Sequence, residues 1–337
     1  MRIRDFGITI GELPTGRLNK ISDVPGVTVG HCTIATDEHN TGVTVVMPCP
    51  DDPFTGKLPC AAFVLNGFGK TAGLIQIDEL GTLETPIALT NTLNVGLVHD
   101  ALVEYMVRTA KTRLRSVNPV VCECNDASLN TITRRAVRAE HVFAAIESAS
   151  ADFAEGAVGC GRGTTCHGLK GGVGSASRVL TLYGREYTLG VLVQTNHGRL
   201  ADLMLSGKNI GRDIQREIAE NTPDKGSCII ILATDIPASD RQLRRIIKRC
   251  SVGLARLGSF IGHGSGEVFV GFSTANRVRA GEKRDIVELR QLNEERLDPV
   301  FRAAAECTEE AVLNSMTAAE TVSGPKNAVR RSLAEFL

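Results

Sequence analysis

From Asn94 onward, Val95, Val98, Leu102 and Met106 recur at intervals of three and four with charged residues between them, which predicts an amphipathic helix. A second helix is expected over residues 139–148. Ahead of them, the first 65 residues hold short β-rich runs broken by turn residues, VPGVTVGHCTIA, TGVTVVMPCP and CAAFVLNG, and these read as strands with tight connections. Past the second helix, the glycine-rich segment GAVGCGRGTTCHGLKGGVGSAS leads into two β-like runs, SRVLTLYG and YTLGVLVQTN, that suit a pair. Beyond Gly226, SCIIILATD has the unbroken apolar character of a buried strand. Ser239 with Gln242 three residues on forms a capping box for a helix. Its face carries Leu243, Ile246, Ile247, Cys250, Leu254 and Leu257, and it stops at Gly258. The run GEVFVGFSTA predicts one more strand, and a last helix opens with Asp298 as N-cap and Pro299 at the first helical position.

Strands gathered into groups, with long helices grouped between them, predict an α+β layered sandwich, because strand and helix do not alternate regularly. Neither a repeat nor a low-complexity linker divides the 337 residues, so one domain over 1–337 is expected. With 42% hydrophobic residues the chain can bury a sizeable core.

Charge narrows the partners. Lys plus Arg and Asp plus Glu both total 38, so no net field draws the chain toward nucleic acid or an anionic membrane, and a small molecule is the expected partner. The opening MRIRDFGITIGELPTG is broken by Asp5, Glu12 and Pro14 before a secretory apolar segment develops, and apolar runs such as 228–233 fall far short of the roughly 20 residues a membrane span needs. The expected location is the cytoplasm. The 10 cysteines include no CxxC pair, and Cys122 and Cys124, one residue apart, would face the same way on a strand. Buried free thiols are therefore expected in preference to a metal or redox role, and no metal or organic cofactor is expected.

Gly159, Gly161 and Gly163 invite a phosphate-loop reading, yet their spacing fits neither GxGxxG nor GxxxxGK[ST]. Gly171, Gly172 and Gly174 are expected instead to supply positive-φ turns and close backbone approach beside a site.

Candidate chemistry begins at Gly226-Ser227, where a serine heads a strand. Ser265 and Glu267 stand two apart at the start of GEVFVGFSTA, where a strand turns both side chains to one face. Asn196 ends GVLVQTN, where its amide could be donated into a site. These groups suit acyl transfer. Spacing alone does not bring them together, and each also fits a plain role as turn residue, cap or strand-end charge.

Taken in order, DVPGVTVGH, NGFGKTAGLIQIDELGTLETPIALTNTLNVG, LKGGVGSASR, GVLVQTN, GSCIIILATDIP, LARLGS and SGEVFVGFSTAN resemble the family of L-aminopeptidase D-amidase/D-esterases and β-peptidyl aminopeptidases, from about Gly11 to the final helix. The resemblance implies an N-terminal-nucleophile hydrolase with four α/β/β/α layers, made as a precursor that cleaves itself before a serine. Here the matching bond is Gly226-Ser227, giving associated chains of 1–226 and 227–337, commonly within a homotetramer. It further implies that Asn196 stabilises the oxyanion, that Ser265 orients the Ser227 amine and hydroxyl, that Glu267 holds this network charged, and that Glu123 binds the substrate's ammonium group. One departure stands out. Relatives read roughly ETxDGxLND, often with an aromatic residue after the threonine, whereas this chain has ECNDASLNT, which puts Asn125 at that position as a replacement hydrogen-bond donor.

The chemistry is physically coherent. A serine hydroxyl needs a base, and a free α-amine with a reference pKa of about 7.7 to 8.0 can serve near neutral pH. Self-cleavage creates that amine. The implied reaction is hydrolysis of the amide or ester bond that follows a free amino group, on a small peptide, amino-acid amide or ester. Two alternatives share the scaffold: acyl transfer as in ornithine acetyltransferases, which use threonine where this chain has Ser227, and non-enzymatic binding of a small molecule.

Overall fold

Alternation along the strand after Gly226 organises the molecule. The computed structural model describes residues 1–218 and 226–337. Counting strands of five residues or more, it contains β1 (Thr28–Ala35), β2 (Asn40–Met47), β3 (Gly56–Gly67), β4 (Ile87–Asn91), β5 (Val120–Cys124), β6 (Val173–Leu182), β7 (Arg185–Asn196), β8 (Ser227–Thr234) and β9 (Gly266–Ser273). The α-helices are α1 (Leu74–Leu80), α2 (Val95–Thr109), α3 (Ala139–Glu147), α4 (Gly211–Ile218), α5 (Asp240–Ile247), α6 (Cys250–Arg256) and α7 (Asp298–Thr317). The larger sheet runs β3-β9-β8-β7-β6, with β8 parallel to β9 and antiparallel to β7. The smaller sheet runs β1-β2-β4-β5.

Every side chain of β8 is buried, and its two faces feed different cores. Cys228, Ile230 and Leu232 pack with Leu243, Ile246, Cys250, Leu254 and Ala304 of α5, α6 and α7. Ile229, Ile231 and Ala233 pack with Leu89, Val120, Cys122 and Cys124 of the smaller sheet. A third core joins Val43, Val45, Ala88 and Val121 to Val98, Leu102 and Val142 of α2 and α3. The order is helices, small sheet, large sheet, helices: the α+β layered sandwich expected from the chain's pattern, with the four α/β/β/α layers that the family resemblance implies. An apolar run without alternation is what a strand covered on both faces requires. Truncating Ile230 or Ile231 to alanine would cost about 2 to 5 kcal/mol.

Most elements lie where the pattern puts them. The paired runs form the β6-β7 hairpin, whose two-residue turn has Tyr183 at φ 55° and Gly184 at φ 69°. Cys122 and Cys124 share the inter-sheet core, and all ten cysteines are free thiols, nine of them buried. Three details differ. The helix expected from Ser239 to Gly258 is two helices, because at Lys248 and Arg249 the ladder tightens and Arg249 N–H bonds the Ile246 carbonyl at 2.9 Å. The final helix begins with Leu297 as its N-cap, so Asp298 is its first residue and Pro299 its second. Gly171, Gly172 and Gly174 have no left-handed φ; close approach alone requires them, since a Cβ on Gly174 would sit 2.0 Å from the Ala311 carbonyl oxygen of α7. Among the described residues no helix is long and apolar enough to cross a membrane.

Candidate active site

Ser227 is the first residue of β8, paired with Asn196 at the end of β7 and with Gly266 at the start of β9. Side-chain alternation puts Ser227 on the face of Ile229 and Ile231, toward the smaller sheet. β5 ends directly beneath, where the Cys124 thiol donates to the Ser227 carbonyl at 3.4 Å. Beyond this point the two sheets are no longer filled by apolar side chains, and a cavity of about 750 Å³ opens between them. Ser227, Asn196, Glu123, Asn125 and Gly226 all line it.

Two glycines make room for the serine. A Cβ on Gly226 would lie 1.6 Å from the Asn196 carbonyl oxygen, so no other residue fits without moving β7. A Cβ on Gly266 would meet the Phe68 carbonyl oxygen at 2.6 Å and the Ser227 Oγ at 3.1 Å. The Gly226 carbonyl in turn accepts a hydrogen bond from the Gly266 N–H at 2.9 Å.

The Asn196 amide has a defined orientation. Its Oδ1 accepts from the Thr165 N–H at 3.0 Å, which leaves Nδ2 as the donor at the cavity wall. Glu123 is buried at the end of β5, with one carboxylate oxygen accepting from the Lys70 N–H at 3.0 Å and the other from the Thr92 hydroxyl. A carboxylate has about four lone-pair sites, so this one retains capacity for a cation in the cavity. Asn125 is exposed, and its Oδ1 accepts from the Ala127 N–H at 3.0 Å, which turns its amide nitrogen outward as a donor. The aromatic surface of the cavity comes from Phe68 and Phe260, both well exposed.

Ser265 and Glu267 are placed differently. They do share a face, and the Ser265 hydroxyl donates to the Glu267 carboxylate. That face is the helix side: Val268, Val270 and Phe272 point between the sheets, Phe269 points to the helices, and Glu267 pairs across from Cys228. Both residues are 0% exposed and neither lines the cavity, whereas Ser227 and Asn196 are each 6% exposed and do. Gly266 therefore separates the Ser265-Glu267 pair from the serine hydroxyl. Asn66 ties the same corner down, donating to the carbonyls of Gly262 at 2.9 Å and Ser265 at 2.5 Å. Burial pushes the Cys228 thiol well up, which makes it a poor nucleophile.

Gly266, Thr165, Phe68 and Phe260 were not among the residues read as candidates from the sequence. Gly266 was within reach of such reasoning, since it sits between Ser265 and Glu267. The others come from two loops and a short hairpin that only the fold brings to β8. Three side chains of types able to hold a metal ion also meet near the site, at Cys166, His167 and His197.

A serine at the head of a central strand, facing a cavity between two sheets in four layers, defines the class of N-terminal-nucleophile hydrolase folds. The model of peptidase family S58 matches residues 19–330, and the chain belongs to that family, a hydrolase of peptide or amide bonds. It is 37% identical to the β-peptidyl aminopeptidase BapA of Sphingosinicella xenopeptidilytica over 97% of this chain and 87% of that protein. The crystal structure of the PH0078 protein from Pyrococcus horikoshii OT3 superposes with a TM-score of 0.93 at 43% identity, covering 100% of this chain and 97% of that one. The L-aminopeptidase D-Ala-esterase/amidase of Ochrobactrum anthropi, described as a prototype of the serine aminopeptidases and a variant of the Ntn hydrolase fold, gives 0.91 at 33% identity over 98% and 95%.

Proposed function

We propose that the chain is a self-processing serine aminopeptidase or amidase that hydrolyses the amide or ester bond after a free amino group. The observation that carries this reading is the position of Ser227, which heads β8 with its side chain on the cavity face and the Asn196 amide opposite.

Processing comes first. Ser227 Oγ attacks the Gly226 carbonyl carbon, and the Gly266 N–H already bonded to that carbonyl oxygen stabilises the developing charge. The C–N bond breaks, the hydroxyl proton passes to the departing Ser227 nitrogen, and an ester joins Gly226 to Oγ. Water opens the ester, leaving a Gly226 carboxylate, a free Ser227 hydroxyl and a free α-amine.

In turnover that amine takes the hydroxyl proton as Oγ attacks the substrate carbonyl and passes it to the leaving amine or alcohol; water, deprotonated by the same amine, then opens the acyl-serine ester, and the proton returns to Oγ. Asn196 Nδ2 donates to the tetrahedral oxyanion. Glu123 holds the substrate ammonium, which limits the enzyme to the first residue of a peptide, and Asn125 donates from the cavity rim. Ser265 and Glu267 act from behind β9 as positioning residues, fixing the strand that carries Gly266 and the field around the new amine. The processed protomer, chains 1–226 and 227–337, assembles as a homotetramer; exposed Ile286, Val287 and Leu289 offer apolar surface for association. It works in the cytoplasm, where free thiols stay reduced.

The test is hydrolysis of p-nitroanilides of L-alanine, D-alanine and β-homoalanine beside their N-acetylated forms. Only substrates with a free amine should be cleaved. Equal cleavage of the acetylated forms would remove Glu123 from its role, and product formation only with an added amine acceptor would make the protein an acyltransferase.

A further inference from the structure

Behind Asn196, on the helix side of β7, three side chains from two segments converge. Cys166 and His167 lie at the tip of a short hairpin whose strands are Thr165–Cys166 and Leu169–Lys170, and His197 follows β7 directly. The His167 N–H bonds the His197 carbonyl at 2.7 Å, so hairpin and strand are already joined. All three residues are buried, at 0%, 0% and 2% exposure. Among the described residues this is the one group of three His, Cys, Asp or Glu side chains whose ligand atoms approach closely, each within 4.8 Å of the others. The Cys166 Sγ stands 4.0 Å from His197 Nδ1, and the imidazole rings lie 5.5 Å apart at 67°.

The donor set has definite chemistry. One thiol and two imidazoles suit a borderline-soft divalent ion, and zinc takes sulfur at about 2.3 Å and nitrogen at about 2.0 to 2.1 Å in tetrahedral order. Those lengths place a sulfur and a nitrogen about 3.5 Å apart on a shared ion, half an ångström closer than Cys166 and His197 now stand. The Arg199 carbonyl accepts a hydrogen bond from His167 Nδ1–H at 3.1 Å, which fixes the tautomer whose lone pair is on Nε2. A backbone carbonyl behind the imidazole is the usual outer support of a metal-bound histidine. His197 Nε2 is a buried nitrogen with no hydrogen-bond partner among the described residues, and its Nδ1 is the atom that faces the Cys166 thiol. His167 has a left-handed φ of 47° in a turn where glycine or asparagine costs less.

We propose that Cys166, His167 and His197 form a site for a zinc-class divalent transition-metal ion that cross-links the hairpin to the end of β7. On binding, the thiol gives up its proton to solvent and the thiolate and two imidazoles supply three ligands, leaving the fourth position to water. Thr165 and Asn196 precede the ligands in the two segments and are hydrogen-bonded to each other, so the ion braces the backbone that orients the Asn196 amide. The expectation of no metal rested on cysteine spacing; these ligands are about thirty residues apart and meet only in the fold.

The probe is cobalt(II) added to chelator-treated, full-length protein, followed by absorption, with zinc as competitor. The expected result is one ion per chain, a thiolate-to-cobalt charge-transfer band that zinc abolishes, and a zinc-dependent rise in Tm. Cys166→Ala should lose the band, and His167→Asn, which tolerates the left-handed turn, should weaken zinc binding about tenfold or more. Absence of a stoichiometric band in folded wild-type protein overturns the proposal whatever the variants do. So does an unchanged band and Tm rise in Cys166→Ala or Cys166→Ser protein that is folded by circular dichroism.

Discussion

Ser227 and Cys228 are neighbours in the chain yet occupy opposite faces of the large sheet, and the two faces differ in kind at this point. On the inter-sheet face, β7 and β8 present Asn196 and Ser227 to a cavity, and β9 leaves room beside the serine with a bare Gly266. On the helix face the same strand ends present Cys228, Ser265 and Glu267, fully buried and hydrogen-bonded or packed. The two side chains differ in access and room: the better intrinsic nucleophile is sealed against α5 and α6, and the poorer one has space, a donor amide and a carbonyl beside it.

The sharpest way to break that contrast is to exchange the two residues' fates. Ser227→Ala should remain uncut and lose more than about a thousandfold in kcat/KM, whereas Cys228→Val should still cleave and turn over with only a packing penalty. Gel analysis and steady-state assays of both report the outcome, and loss of processing in Cys228→Val alone would reverse the assignment. Next comes Asn196→Ala, which removes one oxyanion donor and should cost about a hundred- to a thousandfold in kcat with KM little changed. Gly266→Ala should follow at about a hundredfold, because its Cβ would displace the Ser227 Oγ while the helix face stays intact.

Glu267→Gln tests the helix face itself. It should fold and lose about tenfold in kcat, and the acid limb of its pH profile should move to lower pH, because removing a nearby negative charge favours the neutral amine. A purely structural role would change Tm and leave that limb in place.

The smallest effect concerns stability alone. Burial raises the Asp126 carboxyl to about 6 from 3.8. Since the folded state holds that proton more tightly than the unfolded chain, stability should fall as pH rises from about 3.8 to about 6 and stay level above. The change is at most about 3 kcal/mol, and Asp126→Asn should flatten it in denaturant titrations at several pH values.

Much of this arrangement was legible in the sequence. The strand run SCIIILATD and the amphipathic helix over 95–106 follow from periodicity, and the opposite facing of Ser227 and Cys228 follows from a period of two. Which face holds the cavity did not. Ser265 and Glu267 were correctly read as sharing a face, but that face lies behind β9, because the parallel register pairs Ser227 with Gly266. The breadth of the cavity depends on Phe68, Thr165 and Phe260, residues from two loops and a two-residue hairpin strand with no local pattern. Register and loop placement are set by long-range packing, which a single sequence encodes only diffusely.

The central claim is that the chain becomes an enzyme by cutting before Ser227, and intact mass spectrometry of the purified protein with N-terminal sequencing tests it directly. The account predicts two masses that divide after Gly226, the C-terminal one beginning Ser-Cys-Ile-Ile, with aminopeptidase activity rising as the uncut mass disappears. A single uncut chain with full activity would contradict it.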